Sequence, residues 1–546
     1  MIVKYFNDLK KEFSGYNGKK FSKDLMAGLT VAAVALPLAL AFGVSSGADA
    51  ASGLITAIIA GIFIGVLSGA SYQISGPTGA MSAILISLSV KFGIQGVLVA
   101  GFISGVILLV MAILKVGKLV SYIPAPVITG FTSGIAIIIA LGQIDNFFGT
   151  KSEGENAIEK LVSYGKLGFS PNWWAVGLGL LVVVIMIIYP KKWTAYFPSS
   201  LFALIVVTAV NFIVSPDVVE VGKIPQTLIT KDSLILNIGG IDFGNLKNLI
   251  MPAFSIALLG MIESLLCGAA AGKMKNEKID STRELVAQGV GNMIIPMFGG
   301  VPATAAIART SVVIKSGGQT RIASVIHSLT LILSMFLLGG VMSRIPLCAL
   351  AGVLMVTAFR MNEWESIKQI FSKKLKHSMY QFLITMVATV VFDLTIAIVI
   401  GVVVAMLIFI LKSSELKIEI SDIDDKKLGY EENGIHDSIK IVYLAGPLFF
   451  GTQDQLTKAL NGLSDLKAVV FSMRGVPTID DSAIGELQEL IENFRKNDTA
   501  VLLCGVQYHV LKTMERAGFV DKLGKENILW DAVGAIKKLD KDLCLV

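Results

Sequence analysis

The stretch ISGPTGAMSAILISLSV, Ile74 to Val90, decides how this chain is read. It opens with a tight turn at Gly76-Pro77 and continues as a helix too short to cross a bilayer, which takes about 20 apolar residues for about 30 Å of hydrocarbon. Its surroundings leave no doubt about the solvent: 54% of the 546 residues are AVILMFWYC, 16% are charged, and the mean hydropathy is +0.72. Such a composition describes a polytopic α-helical membrane protein. A broken backbone at membrane depth therefore needs a reason.

Working outward, candidate spans lie near 25–43, 50–68, 95–114, 122–148, 172–189, 199–214, 250–270, 284–298, 320–339, 345–359, 377–392 and 394–412, with two shorter ones at 77–90 and 303–314. Fourteen spans put both ends on one side. With that side cytosolic, it holds Lys19, Lys20, Lys23, Lys115, Lys118, Lys191, Lys192, Lys273, Lys275, Lys315, Arg321, Lys373, Lys374 and Lys376, among others. The outer loops keep Lys91, Lys151, Lys160, Lys166, Lys223, Lys231, Lys247 and Arg344. The basic bias expects both termini in the cytoplasm.

The run Leu25 to Val44 is too long for a signal peptide and lacks its cleavage pattern, so it reads as a span. Before it, in segment 1–23, Ile2, Val3, Phe6, Leu9 and Phe13 recur at helical spacing among lysines. That pattern fits an amphipathic helix on the inner leaflet, with a solvated tail as the alternative. Cys267, Cys348, Cys504 and Cys544 show no metal-like spacing and read as packing residues; no metal and no cofactor is expected. The net charge of +6 comes from basic loops flanking the spans, which excludes nucleic acid as a partner.

Two internal matches explain the Gly-Pro break. SYIPAPVITGF (Ser121 to Phe131) resembles SRIPLCALAGV (Ser343 to Val353) at an offset of 222, and SGPTGA around Pro77 aligns with GVPATA around Pro302 at 225. The offset covers seven spans, an odd number, so the halves (about 24–214 and 250–412) run through the membrane in opposite directions. Inverted repeats place a binding site at mid-depth on discontinuous helices. A Pro in the first turn starts such a half-helix without losing a needed N–H. Two half-helix N-termini facing each other make an anion site. The alternative is that each Gly-Pro merely kinks a packed helix.

Charges at membrane depth are costly and mark candidate sites. Arg309 is placed on one face of its half-helix with Pro302, Ala305 and Ala306, where a permanent cation favours anions. Its alternative is a structural partner for a carboxylate. Glu263, in SIALLGMIESLLCGAAAG, sits mid-helix; either repeat offset carries it to between Leu38 and Ala41, next to Phe42. It reads as the ion-coupling residue or as a permanent salt bridge to Arg309. His327 reads as a proton relay or a hydrogen-bonded packing residue; Asp393 reads as a cap, and Asp145 lies near an outer end.

After a linker at 414–434 the pattern changes to short apolar strands (IKIVYLAGPLFF, AVVFSM, AVLLCGV) alternating with helices, a small cytosolic α/β domain over 435–546. It carries no phosphate loop and no catalytic triad, which points to binding or regulation. No nucleophile, metal cluster or cofactor loop suggests an enzyme.

The motifs QISGPTGAMSA, GFTSGIAI, MIESLLC, ELVAQGVGN and FGGVPATAAIARTS, in this order, resemble the sulfate permease (SulP) family of anion transporters over nearly the whole chain, and the tail resembles a STAS domain. The resemblance implies a core of spans 1–4 and 8–11 moving against a gate of spans 5–7 and 12–14 in an elevator-like cycle, usually as a homodimer in the plasma membrane. Its implied substrate-binding residues are Leu38, Phe42, Thr78, Gly79, Ala303, Thr304, Ala308 and Arg309, with Glu263 coupling. MIESLLC and TAAIARTS look most like bacterial proton-coupled C4-dicarboxylate carriers, and PLALAFG also resembles bicarbonate carriers. Leu38 stands where many members have Gln, which disfavours sulfate. In VPTIDDSAIG, Asp481 occupies the place of the phosphorylatable Ser or Thr of the bacterial regulators, and Ser482 reads as a helix cap. The expected function is proton-coupled symport of a small inorganic or carboxylate anion. Sodium coupling, an uncoupled anion channel and a membrane-anchored scaffold for a cytosolic protein at the STAS domain are the alternatives.

Overall fold

The computed structural model describes residues 2–154, 157–194, 197–215, 217–237, 246–392, 394–425, 436–460, 463 and 466–543, in two compact units, 1–402 and 403–546. Asp393, Cys544 and residues 426–434 of the expected linker lie outside the described residues.

The first unit is helical. It contains α1 (Ile2–Glu12), α2 (Gly18–Ser45), α3 (Ala50–Leu67), α4 (Gly79–Ile113), α5 (Ala125–Phe148), α6 (Ala157–Leu167), α7 (Trp173–Ile188), α8 (Ser199–Val214), α9 (Leu246–Lys275) and α10 (Ser281–Ile294). After these come α11 (Ile307–Lys315), α12 (Ile322–Met342), α13 (Leu347–Met361), α14 (Lys376–Val391) and α15 (Leu394–Ser413). Among the described residues seven helices are long and apolar enough to span a bilayer, and α7, α8 and α13 are shorter apolar helices. Fourteen spans are compatible with this set. The expected spans 77–90 and 95–114 form one assigned helix, α4, broken at Gly93, whose φ of 67° needs a residue without a Cβ. Expected span 284–298 is α10 followed by a turn of 3₁₀-helix at Ile295–Phe298.

Local chemistry sets where these helices begin. Asn17 caps α2 by accepting from the Lys20 amide, and Asp49 caps α3 by accepting from Ser52 at 2.7 Å. Pro124 and Pro346 are the N-cap residues of α5 and α13, so the 222-residue match (124 to 346) is reproduced in backbone structure. The other match shifts. The first half-helix is capped at Thr78 and the second at Ala306, 228 residues apart, because Pro302 is followed by a longer extended segment. Pro77 therefore precedes the cap and Pro302 lies five residues before Ile307; neither Pro stands in a first helical turn.

The N-terminal helix α1 carries its apolar residues outward, with Val3 at 75% and Phe6 at 57% exposure. Its polar side is tied down by Lys4 to Asp280 (2.6 Å), Asp8 to Arg283 (2.7 Å) and Glu12 to Arg321 (2.8 Å). A free solvated tail is not what the structure shows.

The second unit is a five-stranded sheet in the order β3 (Lys417–Asp422), β4 (Ile439–Ala445), β5 (Ala468–Gly475), β6 (Ala500–Cys504), β7 (Ile528–Leu529); β3 is antiparallel to β4 and the rest are parallel. The segment expected as linker thus contributes an edge strand. Alternate residues feed two cores: Val442, Phe471 and Leu503 on one face, Ile441, Val470 and Leu502 on the other. A parallel sheet buried on both faces accounts for the continuous apolar runs of its strands. Helix α16 (Asp481–Lys496) is capped by Asp480, which accepts from Ala483 at 2.8 Å, so Ser482 is inside the helix rather than its cap. Helix α17 (Ala532–Asp542) closes the second face.

Candidate anion site

Two extended segments cross between the half-helices. β1 (Ser75–Gly76) pairs antiparallel with β2 (Thr304–Ala305), Gly76 opposite Thr304 and Ser75 opposite Ala305, and the Ala306 amide donates to Ile74 O at 3.0 Å. The antiparallel register fits halves that traverse the membrane in opposite directions. It also pairs backbone groups that hydrocarbon would leave unsatisfied at a cost of several kcal/mol. Each strand runs directly into a helix N-terminus, at Thr78 and at Ala306, so both helix ends lie beside one small sheet.

Side chains from α9 and α10 hold this crossing. Asn292 accepts from the Ala303 amide (2.7 Å) and donates to the Ala303 carbonyl (2.9 Å). Ser264 Oγ lies 2.9 Å from Thr304 Oγ1 and accepts from Ala305 N at 3.3 Å, while Gln288 donates to Ser75 Oγ at 2.9 Å. Glu284, fully buried, accepts from Ser68 Oγ, the Gly69 amide and Gln288. Glu284, Gln288 and Asn292 recur every four residues on one face of α10. That spacing lies within ELVAQGVGN and is the signal by which sequence alone finds this support.

Glu263 is partly exposed and accepts a hydrogen bond from Thr78 Oγ1 at 2.9 Å. Thr78 Oγ1 in turn accepts from the Met81 amide at 3.3 Å, so one hydroxyl caps the first half-helix and orients the carboxylate. Arg309 is only 2% exposed; its Nη2 donates to Pro77 O at 2.9 Å and its Nη1 has no hydrogen-bond partner. Gly76 is the reason it fits, since a Cβ there would come within 2.5 Å of Nη1. Among the described residues no ion pair joins Glu263 to Arg309, which overturns the permanent salt-bridge alternative. Arg309 is the third residue of α11, whereas Ala305 is in β2 and Ala306 is the cap. The expected common helical face with Pro302, Ala305 and Ala306 does not exist, because that segment is extended.

The structure brings Thr78, Gly79, Glu263, Thr304 and Arg309 together. Phe42 joins them through Gly79, where a Cβ would come 3.2 Å from the Phe42 ring. Leu38 is buried on α2 beside the helix-interior Pro37, Ala303 is fully buried and held by Asn292, and Ala308 is exposed on the first turn of α11. His327 is fully buried and neither ring nitrogen has a hydrogen-bond partner, so it is not the hydrogen-bonded packing residue considered above. Cys267, Cys348 and Cys504 are buried and unpaired. Among the described residues no cluster of His, Cys, Asp and Glu is arranged to hold a metal.

The chain has relatives among known proteins. The sequence matches the sulfate permease family over residues 21–388 and the STAS domain over 432–534. It is 34% identical to the YvdB protein of Bacillus subtilis (strain 168) over 531 residues, covering 94% of this chain and 97% of that one. It is 29% identical to the bicarbonate transporter BicA of Picosynechococcus sp. (strain ATCC 27264 / PCC 7002 / PR-6), covering 94% of both chains. Its fold matches the structure of the murine anion transporter Solute Carrier 26 family member A9 with a TM-score of 0.82 at 17% identity, covering 96% of this chain and 92% of that one. An apolar helical domain with a paired-strand crossing, followed by a parallel-sheet domain, has the motifs in order and the relatives to match: the chain belongs to the sulfate permease family.

Proposed function

We propose that this anion transporter is a secondary active symporter driven by protons through Glu263. The observation that carries this reading is the Glu263–Thr78 hydrogen bond at the cap of one half-helix, with the Arg309 guanidinium on the neighbouring Pro77 carbonyl. Two helix N-termini, each equivalent to about half a positive charge, and one buried guanidinium favour an anion. A charged Glu263 opposes it, by roughly 2 kcal/mol for unit charges ~8 Å apart at an effective dielectric of ~20. Protonating Glu263 removes that opposition, and Thr78 then turns its hydroxyl from the carboxylate to the incoming anion. Anion and proton thus enter together because each lowers the cost of the other.

The anion is a small carboxylate or bicarbonate; Leu38 places no polar group on this side of the site, which disfavours sulfate. The carrying step is an elevator-like movement of the domain built on α2–α4 and α9–α12 against the remaining helices, in a homodimer in the plasma membrane with both termini cytosolic. The STAS unit, with Asp481 at the regulatory position, serves as a docking or regulatory module for a cytosolic protein rather than as a phosphorylation switch.

Sodium is the second reading, favoured by one observation: beside Glu263 lie the Thr78, Ser264 and Thr304 hydroxyls and the Gly260 carbonyl, all oxygen ligands. Uptake of radiolabelled succinate, bicarbonate and sulfate into proteoliposomes, with proton or sodium gradients, separates the two. Proton-stimulated uptake of one anion that Glu263→Gln reduces to the gradient-free rate supports the proton symporter. Stimulation by sodium alone, or an unchanged proton response in the variant, rejects it, and large uncoupled currents make the protein a channel.

A further inference from the structure

Asp24 and Ser45 lie 21 residues apart on α2, about 30 Å along the helix axis. At the Asp24 end the surrounding loops close tightly, with Asp24 accepting from Tyr16, the Gln319 and Thr320 amides and Thr320 Oγ1. At the Ser45 end a cavity of about 430 Å³ opens between α2, the first turns of α4, the end of α5 and the end of α14, and its wall reaches Gly79, the first residue of the half-helix.

The cavity is lined by several polar side chains. Ser82 and Ser87 lie on the α4 wall, Gln143 donates to Ser45 Oγ at 3.1 Å across it, and two charged residues line it, Asp145 and Lys160. Asp145 is committed to the loop itself: Ser152 donates to its Oδ2 at 2.5 Å and Tyr164, on α6, to its Oδ1 at 2.8 Å. The Tyr164 bond holds α6 against the end of α5, and the Ser152 bond ties down the loop between them. Lys160, one turn before Tyr164 on the same helix, forms no ion pair among the described residues and is the lining's one cation.

We propose that this cavity is the water-filled vestibule through which the anion reaches the Gly79 helix end, and that Lys160 is the residue that concentrates anions in it. The proposal rests on the anion-transport reading and assigns it a specificity-determining residue outside the binding site. A cation on the wall of a low-dielectric cleft raises the local concentration of anions and their entry rate, an effect that salt screens over about 8–10 Å and that here works against the one lining carboxylate, Asp145. It acts on arrival, not on the carrying step.

Two measurements on the full chain test it. In proteoliposomes, Lys160→Glu is expected to raise KM for the transported anion about three- to tenfold with Vmax unchanged, the difference shrinking as ionic strength rises, and Lys160→Arg to restore the wild-type KM. The second needs no transport. Ser87→Cys, on the cavity wall, is labelled with an anionic and a cationic methanethiosulfonate of similar size, with the unmodified chain as control. The anionic reagent is expected to be favoured, and adding Lys160→Glu to lower the anionic-to-cationic rate ratio about tenfold. An introduced thiol that does not react, or a ratio that Lys160→Glu leaves unchanged, overturns the vestibule. A thiol that labels in a charge-sensitive way, in a protein that moves none of the three anions, upholds the vestibule and rejects the transport reading instead.

Discussion

The two half-helix entrances are equivalent by symmetry and different in chemistry. At the first, Thr78 covers the amides of its own helix and gives its hydrogen to Glu263. At the second, Ala306 has no side chain to cap with, and Ile307 and Ala308 are exposed. One entrance is therefore closed by a hydroxyl tied to a titratable group, and the other leaves its first-turn N–H groups to whatever binds. On the proposed reading the symmetric fold divides the work: the Thr78 end would sense the proton, and the Ala306 end, with Arg309 in its first turn, would hold the anion. Ser264 and Asn292 fix the second strand from two helices, so the Ala306 end is also held by more side chains.

The largest effect is expected at Arg309. Arg309→Ala removes a charge-assisted hydrogen bond to Pro77 O and the cation of the anion end, each worth about 1.5–3 kcal/mol. Initial uptake at low anion concentration should fall about 30- to 100-fold, while Arg309→Lys, which keeps the charge but not the fork geometry, should recover part of it. If Arg309→Ala transports normally, the guanidinium only braces the first strand and the division of labour fails.

Exchanging the caps sharpens the comparison at smaller cost. Ala306→Ser supplies a hydroxyl that competes with the anion for the α11 amides, worth about 1 kcal/mol, so KM should rise about fivefold while the melting temperature rises slightly. Thr78→Val should instead lower the melting temperature, because the fold loses roughly 1 kcal/mol of capping, and the proton dependence of uptake should move because Glu263 loses its donor. Titrating uptake against pH in both variants separates them. A shifted pH profile in Ala306→Ser and an unshifted one in Thr78→Val would assign the two ends the wrong way round.

These entrances also show which features sequence makes legible. The 222-residue match at Pro124 and Pro346 is a pair of helix caps, where Pro fixes φ locally, and local rules survive into the fold. The match at Pro77 and Pro302 marks the right segments but not their register. How far an extended piece runs before its helix depends on the strand across from it, and the pairing of Gly76 with Thr304 is a contact between residues 228 apart. Glu263 and Arg309 stand out because charge at membrane depth is rare. The ion pair considered as an alternative is absent because each has a nearer neutral partner, Thr78 and Pro77 O, that only the folded crossing supplies. The cavity at Lys160 is likewise tertiary: its walls come from five separate helices.

The smallest effect on transport is expected from a second titratable group, and it guards the assignment of the proton to Glu263. In the second unit His436 Nδ1 lies 2.5 Å from Asp425 Oδ1 and Nε2 2.7 Å from Asp540 Oδ1, and only a protonated imidazole donates from both nitrogens. Burial alone lowers its pKa, but the hydrogen bonds and charges of Asp540 and Asp425 more than offset this, so it titrates above its usual value. A folded-state pKa above the unfolded value of about 6.5 means that the stabilisation is complete below that pH and is lost as pH rises through the folded value. His436→Gln should therefore speed hydrogen exchange at the Ile439 amide, which donates to His436 O, most strongly at pH 6, with the difference from wild type narrowing toward pH 9. Proton-stimulated uptake should be unchanged in the same variant. If His436→Gln abolishes that stimulation and Glu263→Gln does not, the pH response originates in the second unit, and the chemical difference between the two half-helix entrances is structural rather than functional.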